Sequence, residues 1–283
     1  MQLSIIIVSY NSLRLLENCL FSIQKAMQTI DGEIIIVDNN SKDGIKDHLP
    51  SKFPRVKFIF NNENLGFAKA CNQGAKISSG DYILFLNPDT VLSETCLSDC
   101  ISFFKTHADA GAVGVRMLDE KGKFLKESKR GLPSPTASFY KLFGFTAIFP
   151  GSKTIAKYYQ GHLPENENNP VDVLSGAFML IKRALFEKVN GFDESFFMYG
   201  EDIDLSLRIS QLGYKNYYLG KVSIIHLKGG STTYNYKYID DFYGAMKLFV
   251  KKHYNERSTL YRLFLHTGIG IRKMLAILAL PFR

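Results

Sequence analysis

Cysteine is scarce in this chain. The four residues Cys19, Cys71, Cys96 and Cys100 among 283 are too few for a disulfide framework, and each falls in a helix-like stretch, several beside apolar neighbours. They read as buried thiols. Cys96 and Cys100 have the i, i+4 spacing of half a metal site, but no second Cys or His pair accompanies them, so core packing is the better account. The first apolar run, residues 3–8, is too short for the core of a signal peptide and lacks a basic lead or a cleavage site, which points away from export. In the C-terminal tail the longest uncharged run, residues 274–282, falls far below the roughly 20 residues that a spanning helix needs. Residues 66–74 hold neither G-x-G-x-x-G nor G-x-x-x-x-G-K, which demotes dinucleotide and P-loop readings.

What is present is apolar enough, at 46% hydrophobic residues, for one large α/β domain or a core domain with an appendage. LSIIIVSYN (3–11) is a buried strand ending in polar residues, and Leu13, Leu16, Leu20, Ile23 and Met27 then mark one face of a helix. EIIIVDNNS (33–41) repeats the design, RVKFIFN (55–61) is a third strand, and residues 66–78 read as a helix leading into YILFLNPDT (82–90). That last strand is apolar on both faces and stops abruptly at Asn87, Pro88, Asp89 and Thr90. Alternating strands and helices call for right-handed crossovers and a mostly parallel sheet. Three polar clusters, 9–11, 38–41 and 87–90, then share one rim, where ligands bind in open α/β sheets.

Residues 93–106 read as another helix and 111–117 as another strand. From 131 to 170 the chain is rich in Pro, Gly, Asn and aromatics without a period, as expected of a long functional loop or a small irregular insertion. VDVLSGAFMLIK (171–182) restores a strand, with Gly176 as a point of close backbone approach. In FMYGEDIDLSLR (197–208), Glu201 and Asp202 lie at or just before a helix N-terminus, where acids can be purely structural. Asp204 and Arg208 are four apart and read as a surface pair worth about 0.3 to 0.5 kcal/mol. His226 follows a strand-like stretch, 215–225, and precedes the flexible sequence KGGS; a lone His there is more often structural than a ligand. Of the net charge of +8, residues 251–283 supply +6, as seven Lys or Arg against Glu256.

Taken together these pieces resemble the inverting family 2 glycosyltransferases of the GT-A fold, and in particular their bacterial rhamnosyltransferase-like branch. The resemblance covers roughly 3–233. It is carried by VSYN (8–11), VDNNSKDG (37–44), NENLGFAKACNQG (62–74), LNPDT (86–90), SGAFMLIKR (175–183), GFDESFFMYGEDIDLSLR (191–208) and H-x-x-G-x-S from His226. It implies a GT-A domain over 1–235, with a nucleotide-sugar half (1–117) and an acceptor and catalytic half (118–235), followed by a basic helical tail (236–283).

The same resemblance assigns roles. Ser9, Tyr10, Asn11, Asp38, Asn40, Gly66, Asn72 and Asn87 would hold the nucleotide sugar, with Asp38 accepting a hydrogen bond from a pyrimidine N–H. Asp89, at the family's D-x-D position, and His226 would hold a divalent cation, Mn2+ or Mg2+, which offsets charge on the departing diphosphate. Asp202 would be the catalytic base, and Ser175, Gly176, Ala177, Tyr199 and Glu201 would border the acceptor side. Two positions depart from the family pattern. Asn87 replaces the first Asp of D-x-D, so one carboxylate is missing, and Cys71 stands where the family often has Arg, so no donor contact carries over to it.

The implied activity is sugar transfer with inversion, from a dTDP- or UDP-linked donor to a saccharide or lipid-linked saccharide, in the synthesis of bacterial surface polysaccharide. The branch favours rhamnose. Two rivals use the same residues: a catalytically silent nucleotide-sugar-binding or scaffold subunit, which retention of Asp89 and Asp202 disfavours, and a nucleotidyltransferase. Nucleic acid is not an expected partner; a homodimer is compatible with the sequence. In the tail, Leu260, Phe264, Ile271, Leu275 and Leu278 fall near one helical face, with Arg262, Arg272 and Lys273 as cationic anchors. That pattern suits an anionic membrane interface and a cytoplasmic enzyme peripheral on the inner face of the cell membrane. The alternative is a helix docked on the catalytic domain or on a second subunit.

Overall fold

Along each central strand the side chains alternate between two apolar layers, so the sheet must be covered on both faces. In β1 (Leu3–Ser9), Ile5 and Ile7 join one core with Leu16, Cys19, Leu20 and Ile23 of α1 (Leu13–Ala26). Ile6 and Val8 join the other core with Ala68, Cys71 and Ala75 of α3 (Phe67–Ile77). The computed structural model describes residues 1–133, 148–149, 151–153, 157–227 and 235–280. Much of the aperiodic 131–170 stretch, and Gly229 and Ser231 of the motif that begins at His226, thus lie outside the described residues.

The first half of the sheet is parallel, in the order β3 (Lys57–Phe60), β2 (Gly32–Asp38), β1, β4 (Tyr82–Leu86). Helix α3 presses close to it, because Gly74 leaves no room: a Cβ there would lie 2.5 Å from Ile6 Cγ2. Between β2 and β3 runs a short helix, α2 (Ile45–Lys52), which sequence periodicity does not announce.

The second half is mixed. The stretch 171–182, expected as one strand, is two: β7 (Asn168–Val171) and β8 (Phe178–Lys182), separated by a turn at 172–177. That turn sits where β4 ends, since Asn87 N–H donates to Ala177 O at 3.0 Å. Strand β8 therefore starts at the rim and runs antiparallel to β4, with Leu86 opposite Phe178 and Tyr82 opposite Lys182. Beyond it lie β6 (Ala110–Leu118), the long β9 (Lys215–His226) and β5 (Thr90–Leu92), while β7 pairs with the first part of β9. Helices α4 (Cys96–Thr106), α5 (Arg183–Lys188) and α6 (Glu201–Gln211) complete the cover. All four cysteines are buried free thiols, as their surroundings in the sequence require.

Two helices follow, α7 (Tyr236–His253) and α8 (Thr259–Leu278). Helix α7 docks on the body: Ala245 and Phe249 pack with Phe196, Leu132, Ile203 and Leu207. Its other side meets Leu265 and Ile269 of α8. Asp204 joins this seam. It is fully buried and binds Arg208 Nε at 2.7 Å, Lys252 Nζ at 2.7 Å and His253 Nε2 at 2.6 Å. The expected pair with Arg208 exists, but it is part of a buried junction between α6 and α7 rather than a surface contact.

Candidate functional site

The first two loops of the rim are laced to each other. Asn11, left-handed at φ +52°, receives Lys42 N–H on its Oδ1 at 2.7 Å and gives its own N–H to Ser41 Oγ at 2.8 Å. Asp38, 3% exposed, accepts Ser41 N–H on Oδ2 at 2.9 Å and the Ser41 hydroxyl on Oδ1. A carboxylate offers about four acceptor positions, so two remain for a ligand N–H. Ser9 is buried and shares a hydrogen bond with Ser12 Oγ, whereas Tyr10 keeps 43% of its surface at the mouth. Asn40, also left-handed, donates to Asn62 O at 2.8 Å and accepts Lys42 Nζ at 2.7 Å.

Asn39 was not singled out by sequence, yet it holds this corner together. Its amide donates to Gly66 O at 3.1 Å and to Asn64 Oδ1 at 3.2 Å, and it accepts from Asn61 Nδ2 at 2.9 Å. The dense Asn runs at 39–40 and 61–64 were the available signal. Gly66 has φ +84°, and a Cβ there would lie 2.3 Å from Phe197 O, so only glycine admits the 197–199 segment so close. Asn72 is not brought to the rim. Both ends of its amide are spent on the 192–194 loop, toward Phe192 O, Phe192 N and Glu194, on the side of α3 that faces Ser78 and Arg183.

At Pro88 the chain leaves the line of β4, and β5 pairs antiparallel with the end of β9, Thr90 opposite His226. This brings Asp89 Oδ1 to 3.1 Å from His226 Nε2, with Leu227 N–H on Asp89 O at 2.8 Å. Among the described residues no cluster of three or more His, Cys, Asp or Glu could hold a metal ion. Two donors do meet here, and they fit a cation: an oxygen and an imidazole nitrogen at adjacent positions of an ion with bonds of about 2.1 Å stand about 3 Å apart. Among the described residues, Asp89 Oδ1 and His226 Nδ1 are buried without a hydrogen-bond partner.

Two successive left-handed residues, Tyr199 (φ +70°) and Gly200 (φ +83°), turn the chain into α6. Tyr199 packs its ring against Tyr238 and Phe242 of α7. Asp202 then points inward, with Oδ2 receiving Gly176 N–H at 3.0 Å and Oδ1 receiving Ile203 N–H at 2.8 Å. A Cβ on Gly176 would meet Asp202 Cβ at 3.5 Å, an ordinary contact, so the close approach is made by the amide. Ser175 Oγ accepts from Ala177 N–H, which closes the turn.

Arg130, unmarked by any motif, forms an ion pair with Asp202 and also donates to Leu174 O at 2.9 Å. Burial disfavours its charge, but the Asp202 carboxylate more than compensates and raises its pKa further. Beside it, the buried Lys129 Nζ donates to Gln160 O at 2.9 Å and so holds the returning 157–163 segment against the site. Glu201 is 7% exposed, and burial together with the Asp202 charge pushes its carboxyl up to about 8. The end of β4 and the start of α6 are linked through this turn: Asn87 N–H binds Ala177 O, and the next residue back, Gly176, binds Asp202.

The sequence matches the profile of Glycosyl transferase family 2 over residues 4–189. Residues 164–238 match that of the N-terminal domain of galactosyltransferase. Among curated proteins, the N-acetylglucosaminyl-diphospho-decaprenol L-rhamnosyltransferase of Mycobacterium tuberculosis is 28% identical over 242 residues, covering 81% of this chain and 77% of that protein. The rhamnosyltransferase WbbL of Escherichia coli is 31% identical over 166 residues, 59% of each chain. A solved mannosyltransferase from Pyrobaculum calidifontis, in complex with GDP-Man and Mn2+, superposes with a TM-score of 0.61 at 16% identity, over 98% of this chain and 72% of its own. The GT-A fold expected from sequence is therefore the fold found. With its polar rim and a profile match that spans most of the chain, the chain belongs to glycosyl transferase family 2.

Proposed function

We propose that this glycosyltransferase moves a sugar, rhamnose first among candidates, from a dTDP- or UDP-linked donor to a saccharide carried on a lipid diphosphate, with inversion. The observation that carries the reading is the link between the end of β4, where Asp89 lies, and Asp202 through the 175–177 turn: Asn87 N–H binds Ala177 O and Gly176 N–H binds Asp202. The named activity of the Mycobacterium tuberculosis relative, whose length this chain largely spans, supports the sugar and the acceptor class.

The donor's base lies by the Asp38 turn, where the spare lone pairs of that carboxylate accept a pyrimidine N–H, and Tyr10 covers the mouth. Asp89 and His226 would hold a divalent cation, whose charge would offset that growing on the departing diphosphate. Asp202 takes the proton of the acceptor hydroxyl as its oxygen attacks the anomeric carbon and the bond to the diphosphate breaks on the other face. One displacement inverts that carbon. Arg130 and the Gly176 amide orient the carboxylate for the transfer.

The tail belongs to the same reading. No helix among the described residues is long and apolar enough to cross a membrane. The outer face of α8 nevertheless exposes Leu260, Leu263, Phe264, Ile271, Met274, Leu275 and Leu278, most of them by half or more. Lys273 is turned inward to Asp240 at 2.5 Å, which leaves Arg272 as the exposed cation of that turn. We place this face in an anionic membrane interface, where a lipid-borne acceptor is confined. The test of the whole reading is thermal shift with a panel of nucleotide sugars, followed by transfer to an N-acetylglucosaminyl-diphospho-lipid. Stabilisation by dTDP-rhamnose and a rhamnosylated lipid are expected. The reading fails if no nucleotide sugar stabilises the protein and no nucleoside diphosphate is released.

A further inference from the structure

We propose that Glu201 works as an uncharged acid that positions the acceptor, donating its proton to a sugar hydroxyl other than the one that Asp202 deprotonates. This rests on the transfer reaction proposed above. Glu201 opens α6 directly after the left-handed pair Tyr199 and Gly200, a costly backbone that fixes where the side chain goes. The residue is more than nine-tenths buried, and its Oε2 has no hydrogen-bond partner among the described residues.

Its own backbone N–H and the nearby Arg130 favour its charge, but burial and the Asp202 carboxylate outweigh them. From its own helix, Asp202 and Asp204 face it, and both repel a carboxylate. From α3, the buried Cys71 thiol is the ionisable neighbour. From the strap at 129–133 comes Arg130, whose guanidinium is committed to Asp202 and Leu174 O. Lys252, His253 and Arg208 are committed to Asp204. A buried carboxyl with two anionic neighbours and no cation of its own keeps its proton, and the rise to about 8 agrees with that balance. A protonated carboxyl is a donor, and a buried donor without an acceptor is costly. On the saccharide acceptor proposed above, the group that can accept this hydrogen bond is a hydroxyl. The two neighbouring acids then divide the work, Asp202 taking a proton and Glu201 offering one.

The test compares Glu201→Gln and Glu201→Ala in the full-length chain with wild type, by transfer kinetics and by infrared spectroscopy of the carboxyl band. Gln keeps a neutral donor and should hold kcat and acceptor KM within about threefold at neutral pH, whereas Ala should raise acceptor KM about tenfold or more with donor KM unmoved. Since the working form is protonated, wild-type kcat/KM for acceptor should fall as pH rises through about 8, and Glu201→Gln should lack that limb. A protonated-carboxyl band should be present in wild type at neutral pH, vanish at alkaline pH and be missing from Glu201→Gln. The proposal is overturned if Glu201→Gln is as inactive as Asp202→Asn, if Glu201→Ala matches wild type, if donor KM moves instead, or if the band is absent. A band in a wild type that transfers no sugar would defeat the proposed function and the positioning role together. Normal transfer without the band would defeat the neutral acid alone.

Discussion

Replacing Glu33 by Gln removes the charge from a carboxylate that four donors share. Ser4 Oγ at 2.8 Å comes from β1, Ser79 N–H at 2.7 Å and Ser79 Oγ at 2.8 Å from the loop before β4, and Lys57 Nζ at 2.7 Å from β3. One side chain on β2 thus ties the four parallel strands together at the edge opposite the site. It is 5% exposed. Burial opposes the charge, yet these donors outweigh it and bring the pKa down to about 2 from an ordinary 4.5. At 1.36 kcal/mol per pH unit, that difference corresponds to about 3 kcal/mol. Lys57 is 53% exposed and its share is screened, which leaves about 2 kcal/mol. Because the folded pKa lies below the unfolded one, the stabilisation is fully present above about pH 4.5 and is lost as pH falls through about 2. Urea denaturation at neutral pH should therefore show Glu33→Gln less stable than wild type by about 2 kcal/mol, with the gap closing on acidification. Equal midpoints at neutral pH, or a gap that persists near pH 2, would refute the reasoning.

Asp202→Asn should lower kcat by about 100-fold or more while donor affinity measured by calorimetry stays put; turnover within a few-fold of wild type would move the base elsewhere. Chelation should abolish transfer, and Asp89→Ala or His226→Ala should weaken Mn2+ binding in titrations with a nucleoside diphosphate present; full activity of Asp89→Ala in EDTA would dismiss the cation. Asp204→Ala takes the buried carboxylate from His253, Arg208 and Lys252, of which Lys252 keeps Asp193 and Arg208 keeps Val189 O, and should cost about 3 kcal/mol, seen as a lower Tm and earlier proteolysis within α7; an unchanged Tm would contradict the buried junction. Changing Leu260, Leu263 and Phe264 together to Ser should release the protein from anionic vesicles without altering donor binding, and equal vesicle binding by both forms would rule the anchor out.

The central strands were legible because both of their faces are buried, which leaves continuous apolar runs in the sequence. What escaped depends on partners far along the chain. Strand β5 has three residues and exists through its pairing with β9, and α2 carries Pro50 and only two buried residues, Ile45 and Leu49. The strand read across 171–182 is broken because Asn87 and Asp202 hold the 175–177 turn out of line. Asp204 looked like half of a surface pair because the spacing of α6 alone cannot show that α7 covers it. Of the site residues, those in compact motifs at strand ends, Asp38 and Asp89, were placed by pattern and resemblance, whereas Arg130 lies at the edge of an aperiodic stretch where no pattern marks it. Charge balance is the signal that could have found it. GEDID puts three acids into the first turn of a helix that must pack on the body, and buried carboxylates require either cations or protons. Arg208 answers for Asp204 by spacing, but nothing in the motif answers for Asp202 or Glu201. The missing cation had to come from another segment, and the structure supplies Arg130 to Asp202, while Glu201, without an ion pair of its own among the described residues, is the acid that keeps its proton.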